Sequence, residues 1–344
     1  FEKSCMIEKP PISDEKIISA LRESYSLSIV GVEFLPIGND ASASAYRVNT
    51  ENQNAYFLKI RKEISNQAGF LIPRFLQDHG IEQALAPFST KNQELWIRVE
   101  DFFLVLYPFV IGEEAMKVGM SDSEWIEFGS TLKQIHDTKL PADISQYVRR
   151  ETFVPKWSNL SKELQKLVGS RVFNDPYRKH LSTFWRENHE TVQILIERAE
   201  IIGKHLQQTD LEFVLCHADI HTANILLTQG QEMFIVDWDD SLLAPKERDL
   251  MFVRSEDTIL SREAKLFFEG YGNVTINQLA LAYYRYEWCV QEIGDFGERV
   301  FLTKNLGEIT RQDAVEGFIK LFSKGDVIEA AFNTPFELEL RNNS

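Results

Sequence analysis

The stretch from Val214 to Leu250 constrains this chain more than any other. It reads Val-Leu-Cys-His-Ala-Asp-Ile-His-Thr-Ala-Asn-Ile-Leu-Leu, then Thr-Gln-Gly-Gln, then Glu-Met-Phe-Ile-Val-Asp-Trp-Asp-Asp. Two apolar runs, Ile225-Leu226-Leu227 and Phe234-Ile235-Val236, flank a polar, Gly-containing turn, which is the pattern of a β-hairpin. Asp219 precedes the hairpin, Asn224 stands at its entrance five positions on, and Asp237 leaves it thirteen positions later. Antiparallel strands return the chain to its starting end, so the entrance and exit of a hairpin are neighbours. The Asn224 amide oxygen and the Asp237 carboxylate are hard oxygen donors of the kind Mg²⁺ prefers.

The order and spacing resemble those of protein kinases, in which His-Arg-Asp is followed after four residues by Asn and, beyond the next strand, by a metal-binding Asp. Ala218 replaces the kinase Arg. Phosphoryl transfer needs its charge neutralised and its nucleophile aligned more than it needs covalent help. Asp219 is expected to orient the acceptor hydroxyl and take its proton. Asn224 and Asp237 would hold Mg²⁺, and His217 would orient the loop by hydrogen bonding.

The residues before this stretch read as the small lobe of such a fold. Ser13 is a plausible N-cap for a helix over 13–25 with Ile17, Ile18, Leu21 and Tyr25 on one face. Strands are expected over 28–36, 44–49 and 55–60, then a helix over 67–79 that Pro73 should start, kink or break, then strands over 95–99 and 102–110. The loop 36–44, with the single glycine Gly38, lies where kinases cover the ATP phosphates. Lys59, at the end of the third strand, is placed to pair with the α- and β-phosphates. Its expected partner is a Glu on the following helix, yet the position chosen by spacing is Gln67, with Glu63 on the approach. Tyr107, Phe109 and Val110, leaving the sheet through Pro108 towards Gly112, fit an interlobe hinge that flanks an adenine.

From Ser121 the chain turns helical: Ser121-Asp122-Ser123-Glu124 is a capping box, with Trp125, Phe128, Leu132 and Ile135 as an apolar stripe and His136 read as structural. Helical patterns fill 142–207, with breaks near Gly169 and at Asn174-Asp175-Pro176, and recur near 261–270, 276–296, 311–323 and 326–333.

Composition mostly excludes. A net charge of −15 argues against general nucleic-acid binding and is compatible with a cationic substrate. No apolar run approaches the ~18 residues needed to span a bilayer, and no secretory pattern opens the chain. Phe1 is not an initiator residue, so the segment before Met6 reads as a processing remnant. Three scattered cysteines, Cys5, Cys216 and Cys289, point to a reducing cytoplasm rather than a disulfide framework. Cys216 beside His217 reads as a buried structural thiol. The i, i+4 pair His217 and His221 lacks the Glu that a zinc helix needs after its first His, because Ala218 stands there.

At His217-Ala218-Asp219-Ile220-His221-Thr222-Ala223-Asn224 the sequence resembles the aminoglycoside phosphotransferase family, protein-kinase relatives that phosphorylate small molecules. The segments Ile235–Asp239 and Ala244–Leu250 look like the spectinomycin phosphotransferase branch. So do Leu106-Tyr107-Pro108-Phe109, Pro155-Lys156-Trp157, Glu269-Gly270-Tyr271-Gly272 and Tyr283-Tyr284-Arg285. The resemblance implies a two-lobed α+β kinase-like fold: a five-stranded antiparallel nucleotide-binding lobe with one main helix over 6–107, and a mostly helical lobe over 108–340 carrying the catalytic loop and acceptor pocket. It implies an ATP- and Mg²⁺-dependent kinase of a small cationic hydroxylated substrate, spectinomycin-like aminocyclitols above all. By the same resemblance Asp219 is the base, Asn224 and Asp237 bind the metal, Lys59 binds phosphates, and Asp249 braces the catalytic loop. Asp239, Glu287, Glu292 and Asp295 are the acidic candidates for the acceptor pocket. Choline, a hydroxy amino acid or a sugar remain alternative acceptors, and a catalytically inactive binding module is a further alternative. A cytoplasmic monomer is expected, with a weak homodimer as the alternative and neither nucleic acid nor membrane as partner.

Overall fold

The structure is a computed structural model that describes residues 9–36, 43–253, 261–304 and 306–335. The chain divides into two compact units. The first comprises 1–149, 215–243 and 269–272, and the second comprises 150–214, 244–268 and 273–344.

The first unit opens with helix α1, Asp14–Tyr25, which begins where Ser13 accepts a hydrogen bond from the Lys16 backbone and ends at Ser26 in the left-handed region. Strands β1 (Ile29–Leu35), β2 (Ala43–Thr50), β3 (Ala55–Arg61), β4 (Ile97–Val99) and β5 (Phe102–Pro108) then build one antiparallel sheet in the order β1-β2-β3-β5-β4. Successive side chains of a strand alternate between faces, and β3 uses both. Tyr56, Leu58 and Ile60 join Tyr46, Val48, Leu104 and Leu106 beneath Ile17 and Leu21 of α1. Full burial of such a side chain contributes about 1.5–3 kcal/mol relative to exposure, which fixes α1 on that face.

Lys59 and Arg61 therefore take the opposite face, where Lys59 stands in register with Val105. Val105, Phe70 and Leu95 form a second small core there, with Trp96 and Tyr107 packed against it. Phe70 belongs to helix α2, Ala68–Asp78, which runs unbroken through Pro73. Of the three outcomes open at Pro73, a start and a break do not occur. The proline removes one hydrogen bond more than a turn into the helix, while Phe70, Ile72, Pro73 and Leu76 are all buried and hold the element together.

The stretch that follows Asp219 forms the expected hairpin. Strands β6 (Gly112–Glu114), β7 (Ile225–Thr228) and β8 (Met233–Ile235) make an antiparallel sheet ordered β8-β7-β6. The segment after α2 anchors it, because Ile235 donates to the Gln83 carbonyl at 2.7 Å and Leu85 donates to the Ile235 carbonyl at 3.0 Å. Helix α3, Asp122–Asp137, starts with the full Ser121/Glu124 capping box. Its buried His136 bonds the Tyr271 hydroxyl at 2.7 Å.

Gly270, next to that tyrosine, is required by close approach: a Cβ there would lie 1.8 Å from the Ile126 carbonyl oxygen of α3. Overpacking against backbone cannot be relieved by a rotamer change, so Gly270→Ala should destabilise the protein by about 3 kcal/mol. Denaturant melts of the two proteins test this, and equal midpoints would refute it.

The second unit is helical. Its long helix Gln278–Phe301, capped by Asn277, buries Tyr283, Tyr284, Tyr286, Val290 and Ile293 and packs against helices Ser158–Ser170, His189–Leu206, Glu308–Lys320 and Val327–Asn333. Pro176 is the first residue of helix Pro176–Glu187, with Asp175 as N-cap, which explains the break read there in the sequence. Among the described residues no helix is long and apolar enough to cross a membrane.

Candidate functional site

Asp219 and Asn224 are joined directly. The Asn224 amide nitrogen donates to the Asp219 backbone oxygen at 2.8 Å and to its carboxylate Oδ2 at 3.0 Å. Both partners only accept, so the NH₂ must face them and the Asn224 carbonyl oxygen is the atom left for a cation. Residues Thr222–Asn224 form a single tight turn that carries this side chain to the start of β7.

His217 braces the loop from below. Its Nδ1 accepts from the Asp219 backbone N–H at 3.3 Å, and its Nε2 lies 2.9 Å from the Val236 carbonyl. The first contact leaves Nδ1 bare, so the proton is on Nε2 and is donated to Val236. Neither ring nitrogen remains for a metal, which removes the zinc reading of the His217/His221 pair. Trp238 closes against the imidazole at 4.7 Å between ring centres, with its indole N–H on the Ile235 carbonyl at 3.0 Å. Val236 in turn donates to the Asn224 carbonyl at 3.0 Å. The residue before Asp237 is thus tied to both ends of the loop 217–224.

Asp237 and Ala218 both adopt positive φ, 61° and 72°. Asp tolerates this region better than most residues, whereas Ala does so only when its surroundings enforce it. Desolvation by the surrounding protein raises the Asp237 carboxyl above its ordinary value, against the pull of Lys59 and with the help of Asp239. Desolvation acts in the same sense on Asp239, but Lys59 and Arg61 outweigh it and hold that carboxyl below the usual range.

Lys59 stands between these two acids, 3.6 Å from Asp239 Oδ2 and 3.9 Å from Asp237 Oδ1. Its partner is therefore neither Glu63 nor Gln67, and Gln67 is instead the residue that precedes α2. Arg61, with its side chain only 8% exposed, ion-pairs with Asp239. Arg61 belongs to no motif, yet residues two apart on a strand share a face, so Arg61 has to accompany Lys59. Asp239, read from the sequence as an acceptor-side acid, is the carboxylate these two cations engage.

His221 Nε2 lies 3.4 Å from Asp219 Oδ1. Desolvation alone would lower this imidazole, but hydrogen bonding and attraction to Asp219 outweigh it and raise it above 6.5. A raised folded-state value means the stabilisation is complete below 6.5 and is lost as pH rises through the higher value. Wild type should therefore exceed His221→Gln in stability at mildly acid pH and lose that advantage in alkaline solution. Denaturant melts across pH test this; an advantage that grows with pH would refute it.

The remaining expected residues are placed less tightly. Phe109 and Val110 lie between β5 and β6, outside both sheets, with the Arg47 guanidinium 4.8 Å from the Phe109 ring centre. Tyr107 pairs with Phe57 across the sheet. Gly38 lies outside the described residues. Glu287, Glu292 and Asp295 are half-buried on helix Gln278–Phe301 in the second unit, where Asp295 is ion-paired with Arg299 at 2.6 Å.

The sequence profile of the phosphotransferase enzyme family matches residues 33–284. The chain belongs to that family. Its fold is that of the protein-kinase-like aminoglycoside phosphotransferases. Spectinomycin phosphotransferase, solved with ADP and spectinomycin, is 30% identical with a TM-score of 0.84, over 94% of this chain and 99% of that one. Protein StrN of Streptomyces griseus is 22% identical over 306 residues, 86% of this chain and 89% of its own. Amicoumacin kinase shares the fold at 17% identity and a TM-score of 0.59, over 96% of this chain and 97% of that one.

Proposed function

We propose that this phosphotransferase uses Mg²⁺-ATP to phosphorylate a hydroxyl of a small cationic aminocyclitol, with spectinomycin as the acceptor. The observation that carries the reaction is the Asp219–Asn224 pair, whose amide geometry reserves one oxygen for a cation beside the carboxylate of the base. The likeness to spectinomycin phosphotransferase along 94% of the chain supports the acceptor class.

Asn224 Oδ1 and the Asp237 carboxylate are hard oxygen donors and fit Mg²⁺. Bound there, the ion would neutralise charge on the β- and γ-phosphates. Lys59 holds the α- and β-phosphates, and Tyr107, Phe109 and Val110 border the adenine. Asp219 aligns the acceptor hydroxyl and accepts its proton as the oxygen bonds to the γ-phosphorus and ADP leaves. In this reading residues 6–107 serve the nucleotide and residues 108–340 carry the catalytic loop and acceptor pocket of a cytoplasmic monomer.

The test is ADP release from Mg-ATP in the presence of spectinomycin, several aminoglycosides, choline, homoserine and simple sugars. Turnover confined to spectinomycin supports the proposal. Turnover with choline or a sugar alone would retire the aminocyclitol assignment, and no turnover with any acceptor would retire the reading of an active kinase.

A further inference from the structure

Kinase logic asks for an acid beside the phosphate-binding lysine, and the helix after β3 does not provide one. Helix α2 has no acidic residue in its first turn, and its one acid, Asp78 at the far end, is bonded to Arg74. Lys59 instead meets Asp239, which follows the metal-binding Asp237 by two residues.

The place of Asp239 is built from three directions. Arg61, buried on the same strand face as Lys59, ion-pairs with its carboxylate, and the guanidinium also lies 5.7 Å from the Phe70 ring centre of α2. Asn66 donates to the Asp239 backbone carbonyl at 2.7 Å and, with its own carbonyl, accepts from the Ala68 N–H at 3.1 Å. That single side chain ties the start of α2 to the turn carrying Asp239. Gly69 makes room for the acid, since a Cβ there would fall 2.6 Å from Asp239 Oδ1 and 3.1 Å from its Cα. The two cations and the two acids, Asp237 and Asp239, balance in charge.

We infer that Asp239 is the positioning residue for Lys59, replacing the helix glutamate, with Arg61, Asn66 and Gly69 as the socket that fixes it. This rests on the kinase reading of the site and goes beyond it. The consequence is mechanical as well as electrostatic. A lysine held from a helix is released when that helix swings away. Here the lysine anchor and a metal ligand sit on one turn, so displacing the anchor also displaces Asp237. Nucleotide and metal geometry are set together.

The test is binding of Mg-ATP, measured by calorimetry and thermal shift without any acceptor, combined with steady-state kinetics. Asp239→Asn should weaken Mg-ATP binding and raise its KM by about tenfold or more, with the acceptor KM unchanged. Gly69→Ala, which keeps every charge but pushes a methyl into the Asp239 carboxylate, should shift the same constants in the same direction. This second variant covers the case in which Asp239→Asn leaves Arg61 buried and unmatched and so fails to fold. Gln67→Ala should bind Mg-ATP like wild type. Unchanged Mg-ATP binding in folded Asp239→Asn or Gly69→Ala would overturn the assignment, as would a Gln67→Ala protein impaired as severely. A wild-type chain that does not bind Mg-ATP at all would overturn the nucleotide reading, and this assignment with it.

Discussion

An Asp219→Asn protein should turn over about 10²- to 10⁴-fold more slowly than wild type while binding Mg-ATP with similar affinity. The substitution preserves shape and leaves an oxygen for the Asn224 amide that now reaches Asp219 Oδ2 at 3.0 Å. It removes the one property the reaction needs, a basic oxygen able to accept the hydroxyl proton. A second readout separates a lost base from a distorted loop. Attraction to Asp219 holds the His221 imidazole above its ordinary value, so its NMR titration should move downward in the variant. The His217 bridge from the Asp219 backbone to Val236 should stay intact, because it uses main-chain groups. A kcat within about threefold of wild type, with any confirmed acceptor, would sink the assignment of Asp219 as base.

Asp237→Asn should cost the enzyme its metal rather than its proton acceptor. Replacing a carboxylate ligand of Mg²⁺ by a neutral amide removes several kcal/mol of charge stabilisation, and turnover should fall about 10³-fold. The Mg²⁺ concentration giving half-maximal rate should rise at the same time, which Asp219→Asn would not cause. Stability should move the other way. Desolvation raises the Asp237 carboxyl, so its ionised form at neutral pH works against the fold, and stability from this group is lost as pH rises through that higher value. Asn also tolerates the positive φ at this position. The nucleotide-free variant should therefore melt at the same temperature as wild type or slightly above it, despite its lost activity. A Tm well below that of wild type, or an unchanged Mg²⁺ dependence, would contradict this account of Asp237.

Much of the architecture is local in origin and was legible in the residues alone. Helix α1 starts at Ser13 because a side-chain oxygen there satisfies a backbone N–H that no helix can satisfy internally. The hairpin of β7 and β8 follows from two apolar runs around a polar turn, and Asp219, Asn224 and Asp237 are arranged by that hairpin. The alternation of Tyr56, Leu58 and Ile60 with Phe57, Lys59 and Arg61 settles which face of β3 is core. Pro73 is where the local rule left the outcome open. It allows a start, a kink or a break, and the buried side chains around it keep the helix continuous despite the hydrogen bond it removes.

The sequence by itself determined the chemistry on offer: an Asp–Asn–Asp set on a hairpin, a strand lysine, and the helical patterns that carry the rest. Only the tertiary structure decided which acid serves that lysine. Residues 61, 66, 69 and 239 are brought together by the packing of α2 against the turn after Asp237, and no periodicity links Arg61 to an acid 178 positions away. Short-range hydrogen bonding and strand alternation are written in neighbouring residues. A charge pair across that distance exists only once two separate segments have buried their apolar faces against each other and left the cation no other solvent.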